Sequence, residues 1–105
     1  MTDIYDEVKS HFQSMQGVTV NEGRGAQGIK VPVKGKEKMV IMFSKGDLLV
    51  QYSAERTAEI IRLKTGKAYD PGTGKPMKDR VLFLAKDKKH WIQYCEESIG
   101  YFQSS

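Results

Sequence analysis

Four cations, Lys67, Lys75, Lys78 and Arg80, stand in a run of glycines and prolines, Gly66-Lys-Ala-Tyr-Asp-Pro-Gly-Thr-Gly-Lys-Pro-Met-Lys-Asp-Arg80. Glycine beside lysine is the chemistry of a phosphate cradle, in which backbone amides and an ammonium group surround the anion. The spacing fails that test. A Walker A loop needs Ser or Thr after its Gly-Lys, whereas Gly74-Lys75 is followed by Pro76, and Tyr69 stands five positions before Gly74. Strand-like residues follow the run, so no helix N-terminus faces an anion. The pattern fits a connector instead. Asp70-Pro71-Gly72 and Gly74-Lys75-Pro76 are strong turn formers, with Tyr69 and Met77 as apolar anchors. The alternative is contact. Between Arg62 and Lys89, nine basic residues stand against three acids in a chain of net charge +4. Such a patch can touch phosphates with salt-sensitive affinity. It lacks interleaved aromatics and a recognition helix, so weak nucleic-acid association is the most it supports. Lys67, Lys75, Lys78 and Arg80 are the candidate contact residues for an anion or a partner.

Other chemistry is thinly represented. Gly23, Gly25 and Gly28 match Gly-x-Gly-x-x-Gly, but Ile29, Val31 and Val33 continue as a strand where a dinucleotide site opens a helix. His11 lies beside Phe12 on an apolar side, and neither His11 nor His90 has a catalytic companion in sequence. Cys95 shares a helical face with Trp91, which favours a buried thiol over an activated one. Asp6-Glu7 and Glu96-Glu97 are adjacent pairs, and helical neighbours diverge. No metal-ligand spacing occurs. The expectation is a non-enzymatic protein with no cofactor and no metal.

At 105 residues the chain is expected to form a single domain, residues 1–105, able to bury about two-thirds of its unfolded surface. One cysteine allows no internal disulfide and points to a reducing compartment. The acidic start, Met-Thr-Asp-Ile-Tyr-Asp-Glu, is unlike a signal peptide, and no apolar run approaches about twenty residues. A cytoplasmic location without membrane contact is the expectation.

The elements that must position these residues read as follows. Thr2 to Gln16 is a helix, with Ile4, Val8, His11, Phe12 and Met15 on one face, Thr2 or Asp3 as cap, and Gly17 as its end. Val18 to Asn21, Gly28 to Val33, Glu37 to Ser44 and Asp47 to Tyr52 are strands of a meander, joined partly through Lys34-Gly35-Lys36 and Lys45-Gly46. In the third, Met39, Ile41 and Phe43 take one face and Val40 and Met42 the other. A strand apolar on both faces predicts a covering partner, with a homodimer as one form of it. Ser53 caps a helix over Ala54 to Lys64 or Thr65 with Ala54, Ala58 and Ile61 on one side and Ile60 and Leu63 next to it, ended by Gly66. Arg80 to Ala85 is a strand, and Asp87 caps a final helix carrying Trp91, Cys95, Ser98 and Phe102 on one face. The fold class is α+β, an antiparallel sheet of about five strands with three helices in the order α-β-β-β-β-α-β-α.

Several of these segments together resemble the TfoX N-terminal-domain family. They are Gly46-Asp47-Leu48-Leu49-Val50, Ser53-Ala54-Glu55-Arg56, Tyr69-Asp70-Pro71-Gly72, Gly74-Lys75-Pro76-Met77-Lys78, and the strand before Trp91. The similarity runs from about Phe12 to Phe102, with Asp79-Arg80 where family members carry an aromatic residue. The resemblance implies a stand-alone N-terminal domain of regulatory or protein-interaction type, without catalytic residues and with an unidentified protein partner.

Overall fold

The computed structural model describes residues 5–21, 27–44, 46–70, 72 and 74–104. The expected cap at Thr2 or Asp3, the glycines at 23 and 25, Lys45 and Pro71 lie outside the described residues. The order is α1 (Asp6–Gln13), β1 (Thr19–Asn21), β2 (Gln27–Val33), β3 (Lys36–Ser44), β4 (Asp47–Gln51), α2 (Ala54–Arg62), β5 (Lys67–Ala68), β6 (Arg80–Phe83) and α3 (Trp91–Gln103). The strands form one antiparallel sheet, β1-β2-β3-β4-β6-β5. The α+β class and the three helices are as the sequence predicts. Short β5 is the strand it did not reveal.

Rows of side chains across the sheet explain which face is buried. Ile29, Ile41, Val50 and Val81 lie opposite one another, as do Phe43, Leu48 and Phe83. These rows meet Val8, Phe12, Trp91, Cys95 and Ile99 from α1 and α3 in the core. Tyr5 stacks between Phe43 at 4.5 Å and Trp91 at 5.6 Å, and its hydroxyl donates to the Asp47 carbonyl at 2.7 Å. Ser98 donates to the Gln51 carbonyl, so α3 is pinned to the end of β4.

The middle strand departs from strict alternation. Ile29 pairs with Ile41 and Lys30 with Met39, leaving Val40 as an extra residue in β3. This bulge turns both Val40 and Ile41 into the core, at 1% and 0% exposure. Val40 therefore sits on the helix side, and the opposite face of β3 carries Met39 and Met42. Other boundaries differ as well. α1 ends at Gln13 with Ser14 as its C-cap, before Gly17. His11 is exposed and rests edge-on against Phe12 at 4.7 Å instead of joining the core. Asp87 does not cap α3, because residues Ala85–His90 form a 3-10 turn and His90 precedes the helix. No helix among the described residues is long and apolar enough to cross a membrane.

The end of α2 also differs from the expectation. Lys64 takes φ +61, its N–H donates to Ile61, and the Thr65 N–H donates to Ile60. That pair of bonds is a Schellman close with lysine in the left-handed position where glycine is usual. Gly66 serves another purpose. A Cβ there would collide with Val81 and lie 3.0 Å from Phe83, both fully buried. Only a bare backbone lets the chain pass β6 at this distance. The two positions should respond oppositely in urea unfolding. Lys64→Gly should stabilise by about 0.5–1 kcal/mol, and Gly66→Ala should destabilise by about 1–3 kcal/mol.

Tyr52 supplies a pH test. It is buried, its hydroxyl donates to the Tyr94 carbonyl at 2.9 Å, and burial, with the charge of Glu97, pushes its phenol well above the ordinary value. The raised pKa means the unfolded chain releases this proton first. Stability contributed by the neutral phenol is intact below about pH 10 and falls above it. Tyr52→Phe should lose about 1 kcal/mol at neutral pH. It should also flatten the alkaline decline by up to about 1.4 kcal/mol per pH unit.

Candidate functional site

Two of the four candidate cations, Lys67 and Arg80, share one face of the sheet. Lys67 pairs with Leu82 and Arg80 with Gln51, and both belong to the row set of Met42 and Leu49, on the side of the sheet away from the core. Arg80 Nη1 stands 3.7 Å from Met42 Sδ, which fixes that placement. Its Nε and the facing Gln51 Oε1 are buried without a hydrogen-bond partner among the described residues. Lys75 is exposed in the loop between Gly74 and Pro76, and Lys78 lies beside Pro76 and Met77 against α2.

Lys78 borders a feature that the charge pattern does not reveal. Ala54, Thr57, Ala58 and Ile61 of α2, with Ala68, Pro76, Met77 and Lys78, enclose a groove of about 420 Å³. Its origin is local. Ala54, Ala58 and Ile61 recur at four and three residues, so they share one helix face, and two of the three are too small to fill it. Sequence periodicity marks that face as apolar. The face that enters the core is instead the one carrying Thr57 and Ile60, at 1% and 3% exposure. Ala54 and Ala58 are exposed, and Ile61 is half-buried. The Thr57 hydroxyl is buried without a hydrogen-bond partner among the described residues.

Both walls are fixed. Ser53 Oγ accepts the Arg56 N–H at 3.1 Å and caps α2, as its sequence predicts. On the loop side, the Met77 N–H donates to the Tyr69 carbonyl at 2.7 Å. Tyr52 N–H donates to the Asp79 carbonyl at 3.0 Å, and Gln51 Nε2 to Asp79 Oδ2 at 2.9 Å. Asp70 Oδ1 accepts the Gly72 N–H at 2.8 Å. Loop carboxylates are thus turned toward their own chain while Lys75 and Lys78 are exposed. On the far side of α2, Arg56 forms a two-pronged pair with Glu97, at 2.6 and 3.0 Å, and also meets Glu59. This anchors α2 to α3.

Among the described residues, groups suited to covalent or metal chemistry are not assembled. Cys95 is fully enclosed, and burial, helped by Glu96, pushes its thiol up, which opposes thiolate formation. His11 and His90 are exposed, the first 3.8 Å from Glu96 Oε2. Among the described residues no group of three His, Cys, Asp or Glu side chains could hold a metal ion. Ellman's reagent should accordingly label Cys95 only after unfolding. Labelling of the native protein at the rate of a free thiol would contradict this enclosure.

No family model, curated protein or solved structure matches the chain.

Proposed function

We propose that this chain is a non-enzymatic protein-interaction domain of regulatory type, acting in the cytoplasm through the groove between α2 and the Pro76–Lys78 segment. The observation that carries the reading is a fixed apolar depression on the surface, lined mostly by exposed and half-buried side chains, with Thr57 the buried one. Its volume falls within the range of sites that accept an apolar group, and burying one Leu-sized side chain would contribute about 1.5–3 kcal/mol. The motif resemblance to TfoX N-terminal domains supports a regulatory role without catalytic residues. The single buried cysteine agrees with a reducing compartment.

A second reading, weak nucleic-acid association, draws on Lys67 and Arg80 lying together on the sheet face away from the core. The two readings separate in one comparison. Ala58→Trp fills the groove from an exposed position and leaves every cation in place. Crosslinked partners recovered from the native cell should be lost with Ala58→Trp and retained with Lys67→Glu. Retention on a DNA column at physiological salt, abolished by Lys67→Glu and Arg80→Gln, would instead support the second reading.

A further inference from the structure

We infer that the tip of the β2–β3 hairpin binds the phosphate backbone of duplex DNA without regard to sequence. This goes beyond the interaction reading and uses a surface separate from the groove beside α2. Residues 30–38 hold four lysines, Lys30, Lys34, Lys36 and Lys38, and one acid, Glu37, in a chain of net charge +4. Register carries three of these lysines clear of the sheet. β1 pairs with β2 no further than Lys30, and β4 meets β3 only from Ile41. Between those points residues 31–33 and 36–39 pair only with each other among the described residues. The result is a two-stranded ribbon closed by Lys34 and Gly35. Both take positive φ, +51° and +81°, as a type I′ turn requires, and the twist of that turn matches its strands. Val33, Lys34, Lys36, Glu37 and Lys38 border an open concavity of about 480 Å³. Three of the four charges there are positive, and all four side chains are exposed. Lys36 and Lys38 stand two residues apart, on the same side of the ribbon and about 7 Å from each other along it. Lys38 Nζ lies 5.2 Å over the Phe102 ring, which seats it against α3 without cancelling its charge. Lys34 and Lys36 have no acidic partner among the described residues. Glu37 keeps its charge and accepts from the Thr19 hydroxyl at 3.2 Å. Its register with Pro32 turns it away from the side of Lys36 and Lys38. Phosphates ask only for such cations, whereas a protein segment or a bilayer also needs apolar area. At the tip only half-buried Val33 and exposed Pro32 offer any. Residues 30–38 hold no aromatic side chain on which unpaired bases could stack, which favours a duplex over a single strand. The major groove of B-form DNA admits a ribbon of two strands.

The test titrates the whole chain into a short fluorescent DNA duplex of mixed sequence, repeated between about 50 and 200 mM salt. At about 0.9 per phosphate, three contacts predict a slope of log affinity against log salt of about −2.7. Across that range the affinity should fall roughly fortyfold. Lys34→Gln and Lys36→Gln should each weaken binding and reduce the slope by about 1. Both change exposed side chains and should keep the wild-type circular-dichroism spectrum. Lys67→Gln and Ala58→Trp should leave the titration unchanged. In the nitrogen-15 spectrum the duplex should shift the amides of Gly35, Lys36 and Lys38. A slope that survives the double variant Lys34→Gln, Lys36→Gln would overturn the inference, as would absence of duplex binding at about 50 mM salt. Either result would leave the groove reading standing. Binding lost with Lys67→Gln but kept in the hairpin variants would move the contact to the sheet face. An oligoglutamate that binds the same amides more tightly than the duplex, at equal charge concentration, would overturn the inference in favour of an acidic protein. Tighter binding of vesicles containing phosphatidylserine through those lysines would do so in favour of a membrane surface.

Discussion

The extra residue at Val40 is the constraint on which the layering of this domain depends. Without it, β3 would send Val40 and Ile41 to opposite faces, and the apolar side chains of the central strand would be divided. With it, both enter the same core, beneath Trp91 and Ile99 and beside Tyr5 and Phe12. An added buried valine is worth about 1.5–3 kcal/mol, which can offset the ladder bonds a bulge disrupts. All three helices then pack on one side. The other face keeps Met39, Met42, Leu49 and Leu82 among Lys67, Gln51 and Arg80.

From that arrangement the placement of α2 follows. Its inward residues, Thr57 and Ile60, reach the core, and Arg56 clamps its flank to Glu97 of α3. The adjacent face of Ala54, Ala58 and Ile61 has no helix to meet. The β5–β6 connection comes nearest, and it halts at a depression instead of closing it. The depression is therefore a by-product of filling the core from the neighbouring face. Gly66 lets the chain pass close to Val81 and Phe83 of β6 on its way into β5.

Much of this was legible in the residues. Alternation in Asp47 to Tyr52, the apolar run from Arg80 to Ala85, and the spacing of Trp91, Cys95, Ser98 and Phe102, placed strands and a helix that the fold contains. Ser53 announced its own helix. What stayed hidden depends on non-local geometry. A bulge has no signature in a run such as Met-Val-Ile-Met-Phe, because either neighbour can be the extra residue. Lysine at 64 gives no hint of a left-handed close, and a glycine two residues later drew the boundary past it. That Lys67 and Arg80 share a face follows from strand register, which sequence order alone does not give. The groove was half visible. Its alanines were seen as a face, but nothing local says whether a face meets the core or the solvent.

The sheet's borders are short. One flank ends in the three residues of β1 and the other in the two residues of β5, where Lys67 supplies a charge. A strand so brief offers few unpaired backbone groups to a neighbouring molecule, so sheets from separate copies have little to zip along. A domain that keeps an apolar hollow in permanent contact with water runs the risk of indiscriminate clumping. At the recess that risk is one of side-chain contact, while the short edge strands give assembly little backbone template.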